Sequence, residues 1–550
     1  MSASSKKKIR KELNAPALTE KQQQELKEAK KLRLYTGLFA FVIVAMIVVV
    51  LASRVLGSGI IPRSTTALTV GDSEISAAEL NHYYVDSING WLNNYGKVAS
   101  LFGLDTSKPL DEQFYNEAEE QTWADYFLEQ ATLSAQNMYA VYNAAKADGF
   151  TMSDEGKASI EASVSNLRMY APYYNFSSVD GYIAAMYGEG CNEKTFRQYA
   201  EVQMTAQEYA AAHSQSLTYD EAAIRAEDDA NPDNYSSFSY NYYYLANSTF
   251  YQGGTEDEKG NKTYSDEEKE AGRIAAEAAA NSLLTATNAV ELDAAIAALE
   301  VNADATTAPK STNHTDYAFS SIPAAIRDWV AGERTEGDIA VIPNETTTHD
   351  HEADVECTGE NDTTTVSGYY VVLFGGENKN LTNLVNIRHI LVSFQGGKTD
   401  STTGTVTYSD EEKAAAKAKA EEILAAFNAG EKTEEAFGKL AAEKSTDTGS
   451  KSNGGLYEDV YPGQMVTNFN DWCFDAARQP GETGLVETEY GYHVMYFVST
   501  SDTTYRDLMI ESTLLNNDMV AWETALVEAN ELTVKNTKYV DTGLTFSSAS

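Results

Sequence analysis

Two histidines lie within otherwise apolar segments of this chain and are its first candidates for chemistry. His389 belongs to "NIRHILVSF" and His493 to "GYHVMYFVS". An imidazole donates and accepts hydrogen bonds and titrates near neutral pH, so two of them in otherwise apolar strands can serve a reactive site. The alternative is structural, with the two rings hydrogen-bonded to each other to hold the sheet. We favour the interpretation that they line a working site.

A second group of polar side chains lies in "PNETTTHDHEADVECTGENDTTTVSG". Imidazole and carboxylate groups are dense there and are metal ligands in other proteins. Thr, Asn and Gly dominate the segment, however, and favour a solvated acidic loop. We therefore expect no metal and no other cofactor. The three cysteines are scattered, without a CxxC or zinc pattern, which makes a disulfide framework improbable.

A repeat organises the elements that must position the histidines. The hexapeptide "YSDEEK" occurs at 264–269 and again at 408–413. In both copies Ser and Glu are spaced as a helix capping box. "QGG" precedes both copies, and "GYYVVLF" near the end of the first matches "GYHVMYF" near the end of the second. These matches predict that an entire domain was duplicated.

Each copy alternates strand and helix signals, from an apolar opening strand through a long helix to an apolar closing strand. The pattern predicts two tandem α+β domains, at 236–376 and 385–500. The histidines belong to the second copy. In the first, "SYNYYYLANSTF" stands where the second has "NIRHILVSF", and Tyr370 stands in place of the second histidine.

Four ordered motifs of the second copy resemble a parvulin-type (PpiC, rotamase) peptidyl-prolyl cis-trans isomerase. They are "RHILV", "STDTGSKSNGG", "PGQMVTNFNDWCF" and "VETEYGYHV". The resemblance implies isomerase activity without a cofactor and a central pair formed by His389 and His493. It places Asp447 opposite the prolyl peptide bond and gives Thr488 a hydroxyl that hydrogen-bonds to the pair.

The same resemblance implies a proline pocket. Met465 and Phe469 would form its walls, with Phe474 behind them. "LYE" follows the Gly-Gly pair where the family has a smaller step, so Tyr457 stands where a smaller apolar residue is expected. The resemblance also implies that the first copy is a degenerate parvulin-like domain that has lost catalysis and kept its fold.

The N-terminal segment predicts a membrane anchor. After a basic tail at 1–33 comes a transmembrane segment at 34–56. Its uncharged run "TGLFAFVIVAMIVVVLA", extended by flanking apolar residues, is long enough to cross a bilayer. Ten basic residues precede this run, whereas Arg54 and Arg63 follow it, so the positive-inside rule places the tail in the cytoplasm and the rest outside. A cleaved signal peptide is the alternative; the long basic region favours an uncleaved signal-anchor.

The remainder of the chain is strongly acidic. Residues 1–63 hold twelve basic and four acidic residues, which leaves 41 − 12 = 29 basic against 82 − 4 = 78 acidic residues beyond them. That balance opposes nucleic-acid binding and favours solubility.

Helical patterns flank the two α+β domains. Residues 66–233 predict a mostly helical module, and an amphipathic helix at 503–531 within the C-terminal segment 501–550 is expected to complete it. This order resembles extracytoplasmic foldases of the SurA and PrsA type, in which such a module acts as a chaperone.

The sequence therefore predicts a single-pass membrane protein whose bulk is extracytoplasmic. Its expected function is prolyl isomerisation and chaperoning of unfolded or newly secreted chains that contain X-Pro bonds. The alternative is a holdase or scaffold without catalysis.

Overall fold

The computed structural model describes residues 58–303, 305–348 and 363–543. They form two compact units, one of residues up to Thr218 together with those from Asn517 onward, the other of Tyr219–Asn516. The predicted tail, the predicted span at 34–56 and most of the acidic loop lie outside the described residues. Within the three described ranges, no helix has both the length and the apolar character needed to cross a membrane.

The first unit is mainly helical, and its core packs between α2 and α3. Trp123, Tyr83, Tyr84 and Phe127 are among its largest fully buried side chains. Capping boxes or N-cap hydroxyls begin several of its helices, because those side chains satisfy N–H groups that the first helical turn leaves free. The helices are α1 (Ile60–Ser64), α2 (Ala77–Tyr95), α3 (Trp123–Ala147), α4 (Asp154–Tyr173), α5 (Val179–Tyr187) and α6 (Glu193–Ser216).

A three-stranded sheet in this unit joins residues that are far apart in sequence. Its strand order is β17–β1–β2, and Leu68 of β1 lies opposite Val534 of β17. Trp522 stacks on His213 of α6 with ring centroids 4.2 Å apart. The C-terminal segment is therefore part of the first unit's fold. The strands of this unit are β1 (Thr66–Val70), β2 (Ser73–Ser76), β3 (Phe114–Asn116), β4 (Gln121–Thr122) and β17 (Leu532–Val534).

The second unit begins with α7 and a first four-stranded antiparallel sheet of order β8–β5–β10–β9. The helix α8 packs on one face of this sheet, and α10 packs on the other. The elements are α7 (Glu221–Ala230), β5 (Ser237–Ala246), β6 (Thr255–Glu256), β7 (Lys262–Thr263), α8 (Asp266–Ser282), α9 (Ala289–Ala297), β8 (Thr312–Ala318), α10 (Ala324–Ala331), β9 (Ile339–Thr348) and β10 (Thr363–Asn378).

A second four-stranded antiparallel sheet follows, of order β14–β11–β16–β15. One of its faces is covered by α11 and α12 and the other by α13. The elements are β11 (Asn383–Ser393), β12 (Lys398–Thr399), β13 (Val406–Thr407), α11 (Asp410–Ala429), α12 (Glu434–Lys444), β14 (Leu456–Val460), α13 (Thr467–Cys473), β15 (Thr483–Thr488) and β16 (Gly491–Thr504). The helix α14 (Tyr505–Ala529) follows; it begins in this unit, and its residues from Asn517 onward belong to the first unit.

The two sheets share one topology. Numbered within each sheet, the strands run in the order 2–1–4–3 in both cases. Ser265 and Ser409 each form a capping box at the start of the long helix. The Asp-Trp pairs of α10 and α13 also correspond, because an arginine lies over each tryptophan: Arg334 over Trp329 at 4.9 Å and Arg478 over Trp472 at 4.2 Å.

The returning C-terminal segment gives the first prediction. A chain that ends after Asn516 lacks β17, the His213–Trp522 stack and buried Val540, whose burial alone is worth roughly 1.5–3 kcal/mol. We expect residues 66–70 to lose protection from hydrogen exchange while residues 386–392 of β11 keep theirs. Unchanged protection of β1 would show that the first unit does not depend on this segment.

Candidate active site

Strand register brings the two histidines together. In the antiparallel pair β11–β16, His389 lies opposite Met495 and Leu391 lies opposite His493. Residues two apart on a strand share a face, so the two imidazoles are diagonal neighbours on the same side of the sheet. Their Nδ1 atoms are 3.0 Å apart, and both rings are buried. The two imidazoles therefore hydrogen-bond to each other, which is the contact that the structural alternative requires.

The histidine pair is the centre of a longer hydrogen-bonded chain. At one end, Nε2 of His389 lies 2.9 Å from Oδ2 of Asp447. At the other, Nε2 of His493 lies 2.8 Å from Oγ1 of Thr488. These four residues come from three strands and the loop after α12, so tertiary contacts assemble them.

The carboxylate fixes the direction of this chain. An ionised carboxylate only accepts hydrogen bonds, so Nε2 of His389 donates to Asp447 and, in a neutral ring, Nδ1 of His389 accepts. It follows that Nδ1–H of His493 donates to His389, and that Nε2 of His493 accepts from the Thr488 hydroxyl. This single arrangement of protons gives every side chain of the hydrogen-bonded chain a donor or acceptor partner.

Asp447 is held as an anion by its neighbours. Burial by itself would raise its pKa, but hydrogen bonds from the Ser450 hydroxyl, from His389 and from the Gly449 N–H outweigh that effect and lower the pKa to about 2. The Tyr457 hydroxyl also donates to Oδ2, at 3.2 Å. The side chain of Asp447 nonetheless remains 19% exposed, so the carboxylate lies at the edge of the site with its charge intact.

Both histidines are neutral at neutral pH. Burial lowers the pKa of His389 despite the opposing influence of Asp447. Burial and the neighbouring His389 lower the pKa of His493 to about 3. Neutrality agrees with the hydrogen-bond directions, because a protonated ring could not accept from its neighbour.

An apolar cavity of about 340 Å³ opens beside the histidines. Its volume lies within the range of small ligand pockets. The start of α13 supplies the apolar wall, and β14 supplies Tyr457. The lining consists of His389, Leu391, Asp447, Tyr457, Gln464, Met465, Val466, Phe469, Tyr490 and His493.

A glycine permits the close approach of β14 to β11. Gly455 has a φ of +75°, and a Cβ at this position would lie 2.2 Å from the carbonyl oxygen of His389. The N–H of His389 donates to the carbonyl of Gly455 at 2.8 Å. The Gly-Gly pair therefore lets the chain pass directly beside the catalytic candidate.

Six of the eight candidate residues from the sequence line the cavity. Thr488 does not line the cavity but hydrogen-bonds to His493, which does. Phe474 is not among the lining residues and packs in the core cluster beneath α13. Tyr457 is both a wall of the cavity and a hydrogen-bond donor to Asp447.

Sequence reasoning missed Ser450, Leu391, Gln464, Val466 and Tyr490. Ser450 is buried and lies 3.1 Å from Nε2 of His389. A signal for it existed, because a hydroxyl three residues after an aspartate in a turn is well placed to hydrogen-bond to it. Tyr490 reaches the cavity from the β15–β16 turn, which no local pattern indicated.

Comparisons with known proteins give the family of the domain that holds this site. Residues 371–499 match the family model described as the PPIC-type PPIASE domain. The chain contains a PPIC-type peptidyl-prolyl isomerase domain. Foldase protein PrsA 1 of Listeria monocytogenes serotype 4b is 31% identical over 141 residues, covering 24% of this chain and 47% of that protein. Foldase protein PrsA 2 of Listeria monocytogenes serovar 1/2a is 33% identical over 96 residues, or 18% of this chain and 29% of that protein.

Among solved structures, PrsA from Bacillus subtilis is similar at 27% sequence identity. The match covers 27% of this chain and 48% of that one, with a TM-score of 0.18. The chain spans about half the length or less of the curated relatives that it matches.

The neutral histidines make the stability of this domain depend on pH. Their pKa values are lower in the folded state than the value of about 6.5 expected when unfolded, so the unfolded chain binds more protons as the pH falls below 6.5. The contribution of the neutral histidines to the free energy of unfolding is therefore fully present above pH 6.5. It is lost as the pH falls toward about 3, the pKa of His493. We expect His493→Asn to make this decline shallower, by up to about 1.4 kcal/mol per pH unit.

Urea titrations monitored by the fluorine NMR signal of 5-fluoro-Trp472 measure this difference, because Trp472 belongs to the same domain. Parallel curves for the wild-type and His493→Asn chains would show that His493 titrates normally in the folded state.

Proposed function

We propose that the chain is a membrane-anchored extracytoplasmic prolyl isomerase and chaperone that assists the folding of secreted proteins. The observation that carries the catalytic part is the hydrogen-bonded chain Asp447–His389–His493–Thr488 beside an apolar cavity. The PPIC-type match over 371–499 supports it. The similarity to PrsA foldases supports the extracytoplasmic chaperone role, and the apolar run at 34–56 supports the anchor.

Prolyl isomerisation suits such a site because it makes and breaks no covalent bond. The barrier of about 18–20 kcal/mol arises from amide resonance, whereas an X-Pro bond has a trans preference of only about 0.5–1 kcal/mol. A catalyst needs to bind the twisted amide more tightly than the planar one. We propose that Met465, Val466 and Phe469 hold the proline ring while the adjoining peptide bond rotates.

The fixed charge of Asp447 supplies a means of favouring the twisted state. Resonance places negative charge on the carbonyl oxygen and positive charge on the prolyl nitrogen, and rotation removes both. A carboxylate near the carbonyl oxygen opposes the planar, charge-separated form more than the twisted form. The neutral histidines then orient Asp447 and exclude water from its inner side, which strengthens its field.

The first α+β domain is, on this proposal, a degenerate copy without catalysis. Strand register supports the assignment: Tyr242 pairs with Val372 as His389 pairs with Met495, and Tyr244 pairs with Tyr370 as Leu391 pairs with His493. Tyrosines thus occupy both histidine positions. Asp304 ends "EVNAD" (300–304) as Asp447 ends "EKSTD" (443–447), which makes it the counterpart of Asp447 in sequence; it lies outside the described residues.

The proline pocket is also altered in the first copy. Aligning Trp329 with Trp472 places Ile322 at the position of Met465 and Ile326 at that of Phe469. Both isoleucines are fully buried in the core beneath α10. The rings of Tyr242 and Tyr370 lie 5.8 Å apart, so aromatic packing occupies the place of the histidine pair.

A matched pair of double variants tests the catalytic assignment in the full chain. Met465→Ala with Phe469→Ala empties the proposed pocket, whereas Ile322→Ala with Ile326→Ala makes the equivalent truncation in the first copy. Truncation of buried Phe469, Ile322 or Ile326 is expected to cost about 2–5 kcal/mol in stability each, and truncation of half-buried Met465 less. We expect the first double variant alone to lose acceleration of cis/trans exchange in an X-Pro peptide.

Exchange NMR at a temperature where both variants remain folded, checked by circular dichroism, separates activity from stability. Wild-type chain that fails to accelerate exchange would favour the alternative, a holdase without catalysis. If only the variant Ile322→Ala with Ile326→Ala loses activity, the first α+β domain is the catalytic one and the assignment is reversed.

Substrate charge gives a further prediction. The loop after β11 is the hairpin β12–β13, in which Lys398 is the cation and Asp400 lies close by in sequence. Arg388 lies on β11 itself and donates hydrogen bonds to Glu434, at 2.9 Å, and to backbone carbonyls. One lysine cannot replace the multidentate arginine clamp of phosphate sites.

We therefore expect no preference for phosphorylated Ser-Pro or Thr-Pro bonds. Exchange NMR on phosphorylated and unmodified forms of one peptide measures the ratio of their rates. Faster turnover of the phosphorylated peptide would contradict the proposal and point to Lys398 as a phosphate contact.

A further inference from the structure

The segment between α2 and α3 exposes an unusual amount of apolar surface. Its members, here called the aromatic patch, are Tyr95, Leu101, Phe102, Phe114 and Tyr115. Leu101 is 82% exposed, Phe102 54% and Phe114 53%. Single exposed apolar residues are ordinary on protein surfaces, but several contiguous ones mark an interaction site.

Ring contacts join Tyr95, Phe102 and Tyr115 of the patch through Trp91 and Trp123. Trp91 lies beneath it, with its ring centroid 5.5 Å from Tyr95, 5.8 Å from Phe102 and 5.1 Å from Trp123. Tyr115 lies 4.9 Å from Trp123 and stacks on Tyr126. The exposed side chains therefore rest on a floor of buried and half-buried rings that belongs to the core of the first unit.

The loop that carries the patch is held in one conformation. The side chain of Gln113 donates to the carbonyls of Asp105, Lys108 and Pro109 and accepts from the N–H of Asp105, at 2.8–3.1 Å. The N–H of Trp123 donates to the carbonyl of Gln113. Because these bonds fix the loop, the apolar surface is formed before any partner arrives and binding requires little ordering.

Carboxylates surround the patch in sequence and are exposed. Residues 91–122 contain Asp105, Asp111, Glu112, Glu117, Glu119 and Glu120 against Lys97 and Lys108, a net charge of 2 − 6 = −4. Lys108 already pairs with Asp105 at 3.2 Å. Glu117, Glu119 and Glu120 lie in the turn between β3 and β4, next to Phe114 and Tyr115.

This charge decides between the occupants of an apolar surface. A second copy of the chain would bring two such acidic rims together, and an anionic lipid leaflet would meet the same repulsion. A partner that combines aromatic or aliphatic side chains with Lys and Arg gains from both features of the surface.

We infer that the aromatic patch binds extended polypeptide segments that are both apolar and cationic. The inference rests on the proposed chaperone function and names its client chemistry and its place on the first unit. The proposed isomerase site requires only a proline and its neighbours, whereas this surface selects clients by composition and charge.

The test uses the full-length chain in nanodiscs of neutral phosphatidylcholine, with empty nanodiscs as the blank. Two fluorescent peptides without proline carry the same Phe and Leu residues and differ in having either Lys or Glu at the remaining positions. Fluorescence anisotropy is expected to show binding of the Lys peptide about tenfold or more tighter than the Glu peptide, with affinity falling as salt rises.

Variants locate the site. The triple variant L101S/F102S/F114S is expected to lose binding of the Lys peptide, and E117Q/E119Q/E120Q is expected to weaken it and reduce its salt dependence. The matched control M169S/Y170S/Y173S removes three other exposed apolar side chains of the same unit, which are 58%, 44% and 76% exposed, and is expected to bind like wild type. Unchanged circular dichroism and prolyl isomerisation show that all variants are folded.

Three results would overturn the inference. They are equal binding of both peptides, wild-type binding by L101S/F102S/F114S, and a concentration-dependent dimer that this variant abolishes, which would assign the patch to a second copy. If the wild-type chain binds neither peptide, the chaperone part of the proposed function falls as well. The isomerisation assay judges the catalytic part separately.

Discussion

The hydrogen bond between Nδ1 of His389 and Nδ1 of His493 is the constraint on which the site depends. The accepting ring, His389, must be neutral for this hydrogen bond to form, and His493 must be neutral for its Nε2 to accept from Thr488. Burial lowers both pKa values, so both rings are neutral. The strand pairing β11–β16 holds the rings at this distance. With one ring fixed by Asp447 and the other by Thr488, neither can turn without leaving a buried nitrogen unpaired. The apolar cavity beside them thereby keeps a single, rigid polar wall.

The two sheets of the second unit show how one topology carries different contents. Both have the same strand order and the same capped helix, and an arginine lies over the corresponding tryptophan in each. These features stabilise the framework, and they are present in both domains. The positions of the histidines differ, because tyrosines occupy them: Tyr242 packs against Tyr370 and stacks on His314. The tyrosine rings stabilise the first sheet by packing in an apolar cluster, whereas the histidines of the second domain depend on one arrangement of protons.

An excess of acidic residues is common to both units. The acidic surface disfavours nucleic acid and phosphorylated peptides, and at the aromatic patch it distinguishes between apolar partners. A client selected there by its basic and apolar residues is also one that an acidic domain around a prolyl site would attract. The chemistry of recognition in the two units is thus consistent, although each site is built from different elements.

Local patterns in the sequence predicted the long helices, several central strands and the candidate site residues. The repeated "YSDEEK" placed both capped helices, and the apolar runs around His389, His493 and Tyr370 placed three of the central strands, because these signals are local. The motif resemblance identified Asp447, Met465 and Phe469, which the structure brings to one cavity. Local signals could not reveal Ser450 beside His389, the pairing of β17 with β1, or the floor of rings beneath Phe102. Those features depend on which distant segments meet when apolar surface is buried, and only the tertiary structure decides that.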